Sequence, residues 1–121
     1  MIGGQSMLVV EDDSRTAAFV SSILRLAGFT CVEIDATTHE AEHHIRAPSP
    51  DFILVDLGLP ELDGADFIRS ARRSAFLNPI LVIASATSDE DVPAALRAGA
   101  DGYLFKEDLD VRLTAALREL G

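Results

Sequence analysis

The stretch "DFILVDLGLPELDG", residues 51–64, decides how this chain is read. Its apolar run, Phe52 to Val55, ends in a carboxylate, Asp56. An apolar run without polar alternation is what a strand buried on both faces requires, and Gly58, Pro60 and Gly64 punctuate a loop after it. An ionised carboxylate closing such a strand needs a partner. Where that partner comes from depends on the rest of the chain.

Outward from residue 51, the same unit recurs on both sides. "SMLVV" (Ser6–Val10) reads as a buried strand closed by "EDD". A helix follows from about Arg15 to Leu26, capped by Asp13 or Ser14, with Ala18, Phe19, Ile23, Leu24 and Leu26 at helical spacing and Gly28 as its stop. "TCVEI" (Thr30–Ile34) is a second strand and Thr38–Ala47 a short polar helix. After the loop that opens at Leu57 comes the helix "ADFIRSARRS". "PILVIA" (Pro79–Ala84) is the fourth strand, and "DEDVPAALRAG" a helix whose proline falls in its first turn, where a missing N–H matters least. "GYLF" (Gly102–Phe105) and a closing helix from Leu109 complete five βα units. That order predicts an α/β fold, a doubly wound parallel sheet with helices on both faces.

The bulk numbers agree with one domain spanning residues 1–121, in which residues 1–6 form a native extension or an added segment. At 48% hydrophobic residues the chain can bury a core. No apolar run approaches the ~20 residues of a membrane span, and "MIGGQS" does not read as a signal peptide. The net charge of −10 argues against direct nucleic-acid binding through a basic face. One cysteine, Cys31, precludes an internal disulfide and fits a reducing, cytoplasmic setting. Nine arginines accompany a single lysine, Lys106, whose position therefore matters.

In such a sheet, ligands bind beyond the carboxyl ends of the strands. Strand one ends in Glu11, Asp12 and Asp13, strand three in Asp56, strand four in Ala84 and Ser85, and strand five near Lys106. Carboxylates crowded at one edge repel each other unless a cation sits among them. Mg²⁺ suits that demand, because it takes one or two carboxylates and leaves room for phosphate oxygens. A carboxylate beside a metal and an ammonium can attack phosphorus and form an acyl phosphate.

With those residues in place, "LVVEDD", "DFILVDLGLPELDG" and "GADGYLFK" resemble, in order, the receiver domain of two-component response regulators. The resemblance runs from about Met7 to the end and implies a flavodoxin-like (βα)5 fold with strand order 2-1-3-4-5. It implies that Asp56 is the phosphoacceptor, and that Glu11 and Asp12 hold Mg²⁺ with Asp56 and the Gly58 backbone carbonyl. Lys106 would contact the phosphoryl group and Tyr103 would be the aromatic switch. Pro60 and Gly64, which follows Asp63, would shape the loop. It further implies a phosphohistidine donor on a sensor histidine kinase or phosphotransfer protein, a downstream protein target, and a regulator rather than a turnover enzyme. Phosphotransfer and dephosphorylation would be self-catalysed only, and output would run through the fourth helix, fifth strand and fifth helix.

Two departures stand out. Glu107 follows Lys106 where many receivers have proline, as in the subfamily that carries LuxR-type outputs. No such output domain is present, so the chain reads as a stand-alone or an excised receiver. The family also places Thr or Ser at the end of strand four, where this chain has Ala84. Either that hydroxyl is absent, or a one-residue shift or bulge brings Ser85 into its place. The alternative function is then a phosphorylation-independent interaction module whose switch has decayed at Ala84. A small metal-dependent phosphatase is disfavoured, since no second catalytic acid is apparent.

"HEAEH" (His39–His43) matches the H-E-x-x-H pattern of zinc proteases, with Glu40 as the base. The helix is short and polar, His44 falls on another face, and a solvated face is the ordinary reading. Cys31 is expected to be a buried small residue, and Arg72 and Arg73 to be surface charge.

Overall fold

A computed structural model of the chain describes residues 5–46, 48–58 and 64–121. Its strands are β1 (Ser6–Val10), β2 (Cys31–Asp35), β3 (Phe52–Asp56), β4 (Ile80–Ala84) and β5 (Gly102–Phe105). Its helices are α1 (Ser14–Ala27), α2 (Thr38–His44), α3 (Gly64–Arg73), α4 (Val92–Ala98) and α5 (Leu109–Leu120), with 3-10 turns over Asp89–Asp91 and Lys106–Asp108. The strands form one parallel sheet in the order β2-β1-β3-β4-β5. This is the flavodoxin-like architecture expected, and the order reverses between β1 and β3, beside Asp56.

The sheet separates two apolar layers by strand alternation. Leu8, Val10, Ile53, Val55, Val82 and Ala84 point to one face and pack with Phe67, Ile68 and Ala71 of α3 and Ala95 of α4. Met7, Val9, Phe52, Leu54 and Ile83 point to the other and meet Val20 and Leu24 of α1 and Leu113 and Leu117 of α5. Every residue of β3 and β4 is buried. That double coverage is why Asp56 ends up in the interior although it closes a strand.

Several expectations change. The buried stripe of α1 is Ala17, Val20 and Leu24; Phe19 and Leu26 are exposed, Leu26 at 90%. Asp13 caps this helix, and Gly28 ends it at φ 112°, with the Phe29 N–H reaching back to the Leu24 carbonyl. Cys31 is exposed, because it begins an edge strand with only one covered flank. The second helix stops at His44, short of the expected Ala47, which lies outside the described residues, as do Pro60 and Asp63. Gly64 is the first residue of α3 and lacks a positive φ. Its role is close packing, since a Cβ there would lie 2.4 Å from Leu57 Cδ2.

Arg72 is not surface charge. Its guanidinium donates to the carbonyls of Phe76, Asn78 and Gly99 and pairs with Asp101 at 2.8 Å. One side chain thereby ties the end of α3 to the approach of β4 and to the turn before β5. Asp101 in turn accepts the Ile80 N–H at the start of β4.

Candidate functional site

Four strand ends build the site. β3 delivers Asp56, whose side chain is 1% exposed. Its Oδ1 accepts the Gly58 N–H at 2.7 Å, and its Oδ2 faces Lys106 Nζ at 2.8 Å. Lys106 opens the 3-10 turn directly after β5, so its stem leaves the sheet edge toward β3. Burial pulls the Lys106 ammonium down, but its hydrogen bond to Asp56 and the carboxylates of Asp56 and Glu11 outweigh this and hold it above its ordinary value.

β1 delivers Glu11 immediately past its last residue, at 2% exposure. Among the described residues, neither buried Glu11 carboxylate oxygen has a hydrogen-bond donor. Burial first, then the adjacent Asp56 carboxylate, push Glu11 from its ordinary 4.5 to about 8, with Lys106 opposing. Asp12 is exposed, and its charge also raises Glu11. Asp13 belongs to the helix cap: Thr16 Oγ1 donates to it at 2.8 Å and the Arg15 N–H at 3.2 Å, and both lower its pKa. An orphaned, buried acid beside a second carboxylate and an exposed third is a donor set that fits a hard divalent cation.

β4 ends at Ala84, which is fully buried and paired with Phe105 in continuous register. No bulge shifts the strand. Ser85 lies just beyond it, in a turn where hydroxyls gather. The Ser85 N–H donates to Ser88 Oγ at 2.8 Å; Ser85 Oγ lies 2.9 Å from Thr87 Oγ1 and 3.2 Å from Ser88 Oγ. This group adjoins Asp56, because a Cβ placed on Gly58 would meet Asp56 Oδ1 at 3.2 Å, Ser85 Oγ at 3.9 Å and Ser88 Oγ at 4.0 Å. Ser88, 3% exposed, belongs to no motif of the sequence. Its only signal there was the serine spacing in "SATS".

A match to the family model of the response regulator receiver domain covers residues 7–118. The chain belongs to that family. The receiver is 36% identical over 117 residues to the KDP operon transcriptional regulatory protein KdpE of Escherichia coli (strain K12), covering 93% of this chain and 51% of that protein. It spans about half the length of the curated relatives it matches. A response regulator receiver domain from Bermanella marisrubri superposes with a TM-score of 0.86 at 32% identity, covering 95% of this receiver and 96% of that chain. The receiver domain of sensor histidine kinase PA1611 from Pseudomonas aeruginosa PAO1 superposes with a TM-score of 0.81 at 28% identity, covering 98% of each, and holds magnesium in its active-site cleft.

The receiver thus brings Asp56, Lys106, Glu11 and Gly58 together, with Ser85 across from Gly58. Tyr103 stands apart on edge strand β5, 46% exposed, with its ring edge-on to Phe105 at 5.7 Å. The H-E-x-x-H stretch does other work. Thr37 and Glu40 form a capping box for α2, with Thr37 Oγ1 accepting the Glu40 N–H and donating to Glu40 Oε1. His39 and His43 pack edge-to-face on the exposed side, centroids 5.2 Å apart. His44 turns the other way and meets buried Asp35 through Nδ1 at 2.5 Å, with Glu33 Oε1 at 3.7 Å from Nε2. The Asp35 hydrogen bond leads the effects that raise His44, and the pair fastens the end of α2 to β2. Asp35 closes β2 one residue beyond the strand read from sequence. Among the described residues no helix is long and apolar enough to cross a membrane.

Proposed function

We propose that this receiver is a phosphoacceptor switch in which Asp56 takes a phosphoryl group from a phosphohistidine. A carboxylate oxygen of Asp56 attacks phosphorus, the P–N bond breaks, and the imidazole leaves with the electron pair and takes up a proton. The observation that carries this reading is the buried Asp56 carboxylate held between the Gly58 N–H and Lys106. Both groups orient the nucleophile, and Lys106 is placed to neutralise charge on the transferring group.

Glu11, Asp12, Asp56 and the Gly58 carbonyl are the residues that would hold Mg²⁺. When bound, it supplies charge neutralisation for the carboxylates and the phosphoryl oxygens. The phosphotransfer is self-catalysed and single-turnover, so the chain acts as a regulator rather than an enzyme with an external substrate. The donor is a sensor histidine kinase or phosphotransfer protein, and the setting is cytoplasmic. The receiver itself, with its net charge of −10, passes the signal to a protein rather than to nucleic acid. Tyr103, half-exposed on β5, is the side chain expected to report the switch.

The test is incubation with acetyl phosphate and Mg²⁺ followed by intact mass measurement. One added phosphoryl group is expected on the wild type, and none on Asp56→Asn or after chelation of the metal. Labelling that persists in Asp56→Asn refutes the assignment. An NMR titration with Mg²⁺ and then beryllofluoride separates the switch from a mere binding module. Shifts reaching Tyr103 are expected; shifts confined to the neighbours of Asp56 refute the switch.

A further inference from the structure

The hydroxyl network around Ser88 has no place in the scheme above. Ser88 sits at the start of the 3-10 turn Asp89–Asp91, where a serine side chain ordinarily caps the turn's free N–H groups. Here it makes no such cap. Its carbonyl accepts the Asp91 N–H, while its hydroxyl turns back to the Ser85 N–H at 2.8 Å, on the side facing Gly58 and Asp56. Ala84 holds the strand-end position and offers no hydroxyl.

We propose that Ser88 Oγ is the hydroxyl that binds the phosphoryl group on Asp56, in place of a side chain at Ala84. This rests on the reading of Asp56 as phosphoacceptor. An acyl phosphate extends its oxygens beyond the Asp56 carboxylate, beside Gly58, where Asp56 Oδ1, Ser85 Oγ and Ser88 Oγ all lie within 4.0 Å of the position of a Cβ. A phosphoryl oxygen there is a stronger acceptor than a serine hydroxyl. It takes the Ser85 N–H from Ser88 Oγ and receives the Ser88 O–H as well. Before phosphorylation, Ser88 Oγ therefore stands where that oxygen will come. Because Ser88 begins the turn into α4, its hydroxyl links the phosphoryl group directly to that helix.

The test compares wild type, Ser88→Ala, Ser88→Thr, Ser85→Ala and the double variant Ala84→Ser with Ser88→Ala. Beryllofluoride with Mg²⁺ is the probe, and NMR shifts over residues 89–98 are the readout. Ser88→Ala should bind beryllofluoride about tenfold more weakly, the worth of one charge-assisted hydrogen bond less the neutral one it replaces. Its shifts in α4 should shrink toward the unliganded spectrum. Ser88→Thr should retain both, and Ala84→Ser should restore both in the Ser88→Ala background, which separates a lost contact from a lost fold. Wild-type affinity and α4 shifts in Ser88→Ala overturn the proposal. An equal loss in Ser85→Ala, which keeps its N–H, overturns it in favour of the Ser85 hydroxyl. Failure of the phosphoacceptor reading shows separately, as acetyl-phosphate labelling that survives Asp56→Asn.

Discussion

Replacing Glu11 by glutamine should remove a pH-dependent weakness from the metal-free protein. Glu11 is buried beside Asp56, and its carboxyl is raised from 4.5 to about 8. Between those values the folded chain holds a proton that the unfolded chain does not. Unfolding free energy therefore falls as pH rises through that window and levels off above it. At ~1.36 kcal/mol per pH unit the full span is worth roughly 4–5 kcal/mol. Water entering beside the ionised group reduces this, and a fall of about 2–4 kcal/mol is expected. His44, also raised, contributes a fall of the same sign, but it is present in both proteins and cancels in the comparison. The assay is urea unfolding followed by circular dichroism in EDTA, from about pH 5 to about pH 9. Glu11→Gln should match or trail the wild type at the acid end and exceed it at the alkaline end. Parallel pH profiles for the two proteins would refute the argument that Glu11 is buried as a neutral acid.

The same proton should govern the metal. Mg²⁺ binding by calorimetry should tighten up to about tenfold per pH unit while Glu11 is still protonated, and lose that slope above about pH 8. Arg72→Ala should cost about 2–4 kcal/mol in urea unfolding, because it strands the carbonyls of Phe76, Asn78 and Gly99 and the Asp101 carboxylate. Arg72→Lys should recover less than half, since an ammonium cannot reproduce the guanidinium fork. Ala75 has φ 65°, a left-handed conformation that favours glycine, so Ala75→Gly should raise stability by about 0.5–1 kcal/mol in the same assay.

The parts of this fold that sequence resolved are those where one strong periodicity acts alone. β3 as far as Val55 and all of β4 are apolar because both faces are covered, and Asp56 and Ser85, at or just past their ends, mark the ligand edge. Asp56 was legible for that reason, and Lys106 as the single lysine of the chain. The edge strands were not, because half their surface answers to solvent. Cys31 is exposed despite lying in an apolar run, and Asp35, buried by His44, closes β2 after an exposed Ile34. Along α1, the apolar residues outnumber those the core can take, so Phe19 and Leu26 read as core yet face water. Arg72 shows the complementary failure. Its hydrogen-bond partners are mostly backbone carbonyls, which carry no sequence signature, and its ion-pair partner among the described residues, Asp101, lies 29 residues away. Ser88 was hidden likewise, because its hydrogen bond runs to a backbone N–H within a turn.

These observations join at the strand ends. Three acidic side chains converge there with one ammonium, and the metal-free protein resolves the conflict unequally. Asp56 takes Lys106 and the Gly58 N–H, while Glu11 finds no hydrogen-bond donor among the described residues and the charge of Lys106 only partly offsets its burial beside Asp56. A buried acid so placed keeps its proton at neutral pH, and that proton is what a divalent cation would replace. The arrangement therefore favours Mg²⁺ more as pH rises, while the metal-free fold grows weaker over the same range. Opposite the carboxylates, the hydroxyls of Ser85, Thr87 and Ser88 satisfy one another and the Ser85 N–H while Asp56 is unmodified. Each side of the cleft thus has an internal stand-in, a proton for the cation and a serine hydroxyl for the phosphoryl oxygen. Glu11→Gln and Ser88→Ala should therefore act on separate steps. The first should weaken Mg²⁺ binding measured alone, whereas the second should leave Mg²⁺ binding intact and weaken only beryllofluoride. A Ser88→Ala protein that loses Mg²⁺ affinity would show that the two sides do not act separately.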